Sequence, residues 1–105
     1  MKITLCATCT LGRGTFPDRL RHALAREKVT ATVSLTECMS GCTRPSALAV
    51  RDDGKTAYLF GDLTEADLFD LLAFARLYSS SADGTFADAR PLGGLRMKAI
   101  ARIPG

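Results

Sequence analysis

Hydrophobic and polar residues alternate in several short stretches of the chain, and this alternation predicts β-strands. The clearest stretch is VTATVSL at 29–35, where apolar side chains occupy every second position. Shorter apolar stretches that we also interpret as strands are KITL at 2–5, ALAV at 47–50 and TAYLF at 56–60. The Asp53-Gly54 dipeptide between the last two predicts a hairpin turn. Strict alternation indicates one buried and one wetter face, so we expect two layers and not three.

The first predicted helix follows the loop that contains Gly12 and Gly14. Thr15, with Asp18 three residues later, is a helix-start signal, and Pro17 suits the first turn. The residues of the predicted inner face are Phe16, Leu20, Ala23 and Leu24.

The second predicted helix begins after Thr64, with Asp67 at the position of a capping box. The residues of its predicted inner face are Leu68, Leu71, Leu72, Ala75 and Tyr78. Phe74 and Leu77 fall outside that face. We therefore expect either the C-terminal tail or a second copy of the protein to cover them.

The element order strand–helix–strand–strand–strand–helix predicts an α/β fold. The first two strands should be parallel and joined by a right-handed crossover, and the last two should form an antiparallel hairpin. This is a two-layer, thioredoxin-like arrangement with a mixed four-stranded sheet, and we assign it to residues 1–80. Residues 81–105 form a basic tail, predicted to be irregular, that packs on the domain or docks a partner.

Composition and charge narrow the function classes. A chain of 105 residues with 47% hydrophobic residues has enough apolar side chains for one small core. The net charge of +3 comes from residues 86–105, since the charges of residues 1–85 balance. With Phe86 as the only aromatic residue there, these few cations do not predict nucleic-acid binding. We find no membrane span and no signal peptide, and so expect a cytoplasmic protein.

The candidate chemistry lies in four cysteines, the only ones in the chain. Cys6 and Cys9 stand in CATC, after the first predicted strand, and Cys38 and Cys42 stand in CMSGC, after the second. The carboxyl ends of parallel neighbouring strands lie at the same edge of a sheet. We therefore expect the two pairs to converge there.

Four functions are open to such a set of thiols. Disulfides are disfavoured in the cytoplasm. A thiol oxidoreductase needs a reactive cysteine at a helix N-terminus, and five residues separate Cys9 from the predicted cap at Thr15. Four thiolates suit structural zinc or a metal-handling module. Four thiolates also suffice for a [2Fe–2S] or a [4Fe–4S] cluster, and we favour [2Fe–2S] because the two-plus-two spacing suits one pair per iron. His22, the only histidine, is expected to be exposed and not a ligand.

A resemblance supports the cluster. CMSGCTRPSALAV at 38–50 resembles the second ligand loop of thioredoxin-like [2Fe–2S] ferredoxins, and of the corresponding subunit of respiratory complex I. Over nearly its full length, the chain is similar to a short, uncharacterised bacterial family described as predicted metal-binding. The likeness lies in CATC, CMSGC, FGDL, DG and the RP…ARIP ending.

This resemblance implies a small one-electron carrier that is not an enzyme. Its partners would be redox proteins, with a weak pointer to cobalamin synthesis, and thioredoxin-like ferredoxins are often homodimers. Its cofactor would be a [2Fe–2S] cluster held by Cys6, Cys9, Cys38 and Cys42. The alternatives are a four-cysteine zinc or metal-handling module and, less favoured, a thiol oxidoreductase.

Overall fold

A computed structural model describes residues 1–6, 14–36, 46–86 and 90–104 of the chain. The helices and strands are β1 (Lys2–Cys6), α1 (Phe16–Arg26), β2 (Thr32–Thr36), β3 (Leu48–Arg51), β4 (Ala57–Phe60), α2 (Leu68–Ser80) and β5 (Ala99–Ile103). Two 3₁₀ segments, Glu65–Asp67 and Arg90–Lys98, precede α2 and β5 respectively.

The strands form one mixed sheet in the order β2-β1-β3-β4-β5. β1 and β2 are parallel, and β3 and β4 form an antiparallel hairpin, as predicted. The prediction of four strands and an irregular tail is wrong, because β5 pairs antiparallel with β4. The apolar stretch AIARI at 99–103 satisfies backbone groups along β4 that would otherwise lie at the edge of the sheet.

Alternate strand residues separate the two faces of the sheet. The face that we call the helix face carries Ile3, paired with Val33 on β2 and Val50 on β3. Leu5 and Leu48 pair on the same face. These side chains form one buried cluster with apolar residues of both helices, among which are Leu20, Leu24, Leu68, Leu71 and Tyr78. Both α-helices therefore contribute to the core on the helix face. The opposite side is the open face.

Phe74 is one of the most buried residues, although the sequence pattern placed it outside the inner face of α2. Its side chain is 1% exposed. Its ring packs edge-on against Tyr58 and Phe60, with centroid separations of 5.1 and 5.2 Å, and lies 5.4 Å from Phe86. Phe86 comes from the segment beyond α2, and so a distant part of the chain covers Phe74. A second copy of the protein is not needed on this face.

An ion pair joins the C-terminal segment to the start of α2. Lys98 Nζ lies 2.6 Å from Asp67 Oδ2 and also donates to the carbonyl of Asp62 at 2.9 Å. The backbone N–H of Thr64 donates to the same carboxylate at 2.8 Å, as a capping box requires. Burial raises the pKa of the Asp67 carboxyl, but the hydrogen bonds from Lys98 and Thr64 outweigh it and hold that pKa below its ordinary value.

Replacement of Lys98 by methionine is expected to lower the free energy of unfolding by about 2 kcal/mol at pH 7, because it leaves a largely buried carboxylate without its cation. The group with the lowered pKa is Asp67, so this contribution is present above its unfolded pKa of about 4 and is lost as the pH falls through the folded value. Urea unfolding of both proteins at pH 7 and near pH 3 checks this. The difference between them should shrink at the lower pH.

Arg96→Met is the matched control, because Arg96 is an exposed cation on the same segment. It should change the free energy of unfolding by less than about 0.5 kcal/mol. Equal losses in the two variants, or a Lys98→Met loss that does not depend on pH, would contradict the role given to the ion pair.

Candidate metal centre

Cys6 is the last residue of β1 and is buried outside the main core. Its side chain is 4% exposed. Its neighbour Leu5 belongs to the cluster on the helix face, and Cys6 does not. Because side chains alternate along a strand, Cys6 points to the open face. Its burial there shows that the carboxyl end of β1 is covered even on the side away from the helices.

The other three predicted ligands, Cys9, Cys38 and Cys42, lie outside the described residues. Within the described ranges, no group of three or more His, Cys, Asp or Glu side chains is placed to hold a metal ion. What the structure does describe is where the two cysteine-bearing segments, 7–13 and 37–45, begin and end.

Both segments begin at the carboxyl ends of neighbouring parallel strands, on the same side of the sheet. Segment 7–13 follows Cys6, and segment 37–45 follows Thr36, which is the parallel neighbour of Cys6 in the register of β1 and β2. The backbone N–H of Cys6 also donates to the carbonyl of Ala47 at 3.2 Å. Ala47 lies two residues beyond the end of segment 37–45. Three of the four flanks therefore meet around one strand end.

The segments also end beside a common cavity of about 660 Å³. Gly14, directly after segment 7–13, and Ser46, directly after segment 37–45, both line it. Among the residues that the structure describes, the others that line this cavity are Thr15, Phe16, Leu63, Thr64 and Glu65. The sheet edge and the cavity together place all four flanks at one end of the molecule.

Two helical N-termini border the cavity. α1 begins at Phe16 with Thr15 as its N-cap, as predicted, although the Thr15 side chain makes no capping hydrogen bond. The 3₁₀ segment that leads into α2 begins at Glu65, after Thr64. The first-turn N–H groups of a helix favour negative charge nearby. Glu65 is neutralised by Arg19, whose Nη1 lies 2.7 Å from its Oε1. Because the Asp67 carboxylate already caps the 3₁₀ segment, it is the N-terminus of α1 that would favour an anionic centre at this end of the molecule.

Ser46 is a feature of this region that sequence analysis missed. Its φ is +57°, in the left-handed region, and its side chain is 9% exposed. A non-glycine residue with this φ carries a conformational cost of about 1 kcal/mol, which the surrounding structure must offset. No turn motif in the sequence predicts this left-handed conformation, because Ser is not one of the residues favoured at positive φ.

His22 is exposed on α1, as expected. It lines a groove of about 410 Å³ between the two helices, together with Phe69, whose side chain is 79% exposed. The groove is on the helix side of the molecule, and Cys6 points to the open face. The geometry therefore gives His22 no role beside Cys6.

Comparison with known proteins gives one match. A family model described as "Protein of unknown function (DUF1636)" matches residues 3–105. No curated protein and no solved structure matches the chain. Within the described ranges, no helix has the length and apolar character needed to cross a membrane.

Proposed function

This chain belongs to the DUF1636 family of proteins of unknown function, and from its own residues we propose that it is a small one-electron carrier. Cys6, Cys9, Cys38 and Cys42 would hold one [2Fe–2S] cluster. The domain would be a thioredoxin-like, ferredoxin-like module of a reducing compartment such as the cytoplasm. It would perform no bond-making chemistry and would exchange electrons with redox proteins.

The observation that carries the proposal is the common origin of the two cysteine-bearing segments. Cys6 and Thr36 are neighbours in the parallel register, and neighbouring strands lie about 4.8 Å apart. Cys38 follows Thr36 by two residues and Cys9 follows Cys6 by three. An extended residue spans at most about 3.6 Å. The short chain lengths from Cys6 to Cys9 and from Thr36 to Cys38 therefore allow Cys9 and Cys38 to lie close to the Cys6 thiol.

The electrostatics of this end of the molecule also support a cluster. A cluster with four thiolate ligands is an anion, and its negative charge increases when it accepts an electron. The N-terminus of α1 borders the cavity beside the ligand segments. Its first-turn N–H groups would stabilise the added charge, which raises the reduction potential.

The described residues would contribute burial and backbone placement. The 4% exposure of Cys6 would keep water from one ligand sulfur. The Ala47 carbonyl, which accepts from the N–H of Cys6 at 3.2 Å, fixes the strand end that carries this sulfur. When bound, the cluster supplies reversible one-electron transfer.

Anaerobic reconstitution of the purified full chain with iron and sulfide tests the proposal. We expect a red-brown protein with about two irons and two acid-labile sulfides per chain, the content of one [2Fe–2S] cluster. Dithionite should bleach the visible absorbance and produce a paramagnetic signal in low-temperature EPR. A protein that stays colourless would overturn the assignment.

The same analysis separates the alternatives. About one zinc per chain without labile sulfide would identify a four-cysteine zinc or metal-handling module. A metal-free protein with titratable thiols would point to a thiol oxidoreductase. We rank that function last because a simple dithiol switch uses only one C-x-x-C pair and leaves Cys38 and Cys42 without a role.

A further inference from the structure

The chain has two Asp-Gly dipeptides, Asp53-Gly54 and Asp83-Gly84, and no asparagine. In an Asp-Gly dipeptide the glycine nitrogen can attack Cγ of the aspartate, because no side chain shields that nitrogen. The carboxyl group then loses water and a succinimide ring forms. The two dipeptides have the same covalent chemistry, so a difference in their reactivity has to come from the fold.

Asp53-Gly54 lies at the exposed tip of the hairpin between β3 and β4. The N–H of Lys55 donates to the carbonyl of Asp52 at 3.1 Å and closes the turn around the dipeptide. A Cβ added to Gly54 would meet nothing within 4 Å. Among the described residues, no hydrogen bond or ion pair holds the carboxylate of Asp53 or the N–H of Gly54. Neither reacting group is therefore restrained by a partner there.

Asp83-Gly84 is held by hydrogen bonds at both reacting groups. The carboxylate of Asp83 accepts from the N–H and the hydroxyl of Thr85, at 3.0 and 2.6 Å. The N–H of Gly84, which would be the nucleophile, donates to the hydroxyl of Ser81 at 3.0 Å. The hydrogen bonds from Thr85 also hold the pKa of the Asp83 carboxyl below its ordinary value. Water leaves only from the neutral acid, so this turn disfavours ring closure.

We propose that Asp53 is a site of spontaneous isomerisation to isoaspartate, from which the fold protects Asp83. Water adds to either carbonyl of the succinimide at Asp53. Opening at one carbonyl restores aspartate, and opening at the other leaves the main chain running through the former side-chain carboxyl group. The water lost in ring closure is regained, so the product is an isomer and no oxidant or reductant is consumed. This inference is independent of the proposed cluster.

The same chemistry defines a partner for the product. An isoaspartyl residue carries a free α-carboxylate, and the enzyme class that recognises this group is the S-adenosylmethionine-dependent carboxyl methyltransferase. The methyl group of the cofactor passes to a carboxylate oxygen, and S-adenosylhomocysteine leaves. Because the hairpin tip is exposed, the isomerised residue would be accessible to such an enzyme in the folded chain.

Isomerisation would also disturb the contact between this hairpin and α2. Lys55 directly follows the dipeptide, and its Nζ donates to the carbonyl of Tyr78 at 2.8 Å and lies 5.1 Å from the centroid of the same ring. A cation in this position stabilises the C-terminus of a helix. Isoaspartate adds a methylene carbon to the main chain within the turn, so we expect the isomerised protein to unfold at a lower urea concentration.

Incubation of the purified full chain in isotopically heavy water tests the proposal. Heavy oxygen enters a residue when its succinimide reopens, and cleavage after lysine, in ordinary water, separates the two dipeptides for mass spectrometry. We expect at least about tenfold more isoaspartate and heavy oxygen at Asp53 than at Asp83, because the second turn must first lose its hydrogen bonds. An isoaspartate-specific methyltransferase with labelled S-adenosylmethionine should label the Asp53 peptide alone.

The chain unfolded in guanidinium is the control, since the two dipeptides should then react at similar rates. Ser81→Ala releases the N–H of Gly84 and should raise isoaspartate at Asp83 at least about threefold, without a change at Asp53. A folded chain that forms no isoaspartate at Asp53, or equal amounts at both residues, would overturn the proposal. So would an equally large difference between them in the unfolded chain, because the fold would then not be its cause.

Discussion

Replacing any one of Cys6, Cys9, Cys38 or Cys42 by alanine is expected to lower the iron content of the reconstituted protein at least about tenfold, because each iron of a [2Fe–2S] cluster needs two protein thiolates. The visible absorbance should fall by the same factor. Iron and sulfide analysis, with absorbance spectra of all four variants reconstituted in parallel, measures this. The four variants should behave alike, although they come from two segments far apart in the sequence.

Thr36→Ala is the matched control for these variants. Thr36 is the register partner of Cys6 at the same strand end, and its side chain is exposed. It carries no thiol and should therefore reconstitute fully. An alanine variant of any of the four cysteines that kept the iron and sulfide content of the unmodified protein would remove that cysteine from the ligand set.

Cys6 needs a separate control because it is buried as well as a proposed ligand. Replacing a buried cysteine by alanine removes packing and costs about 1 kcal/mol of the free energy of unfolding. Urea unfolding of metal-free Cys6→Ala separates this cost from loss of the ligand. If that variant fails to fold, Cys38→Ala and Cys42→Ala still test the cluster.

Local sequence signals account for most of the fold. The alternating stretches gave the strands, and Thr64 with Asp67 gave the start of the second helix, because each signal depends on residues a few positions apart. The parallel pairing of β1 and β2 followed from the helix between them. This pairing also placed the ends of both strands, and with them Cys6, at one edge of the sheet.

The parts that could not be predicted depend on distant contacts. AIARI at 99–103 is five residues long and follows a segment rich in glycine and proline, so only its pairing with β4 reveals it as a strand. Phe74 is off the helical stripe and becomes buried through Phe86 and the aromatic residues of β4. The cavity between Gly14 and Ser46 likewise joins residues that no local pattern connects.

Another long-range contact, at Gly84, joins the turn after α2 to the residue that precedes β4. Gly84 has φ +78°, and a Cβ added to it would lie 2.9 Å from the backbone nitrogen of Thr56 and 3.0 Å from Cε2 of Tyr78. Two hydrogen bonds hold this turn in place. The carbonyl of Gly84 accepts from the hydroxyl of Tyr58 at 2.6 Å, and the N–H of Thr56 donates to the carbonyl of Asp83 at 2.9 Å.

Gly84→Ala is therefore expected to lower the free energy of unfolding by about 3 kcal/mol, as the sum of a strained φ and a clash with a buried backbone. Gly54→Ala is the matched control, because Gly54 has φ +73° and a Cβ added to it would meet nothing within 4 Å. It carries only the conformational cost of about 1 kcal/mol. Urea unfolding of both variants gives the packing cost as their difference. Equal losses would mean that the turn at Gly84 moves away from Thr56 without penalty, and that the hydroxyl of Tyr58 does not hold it in place.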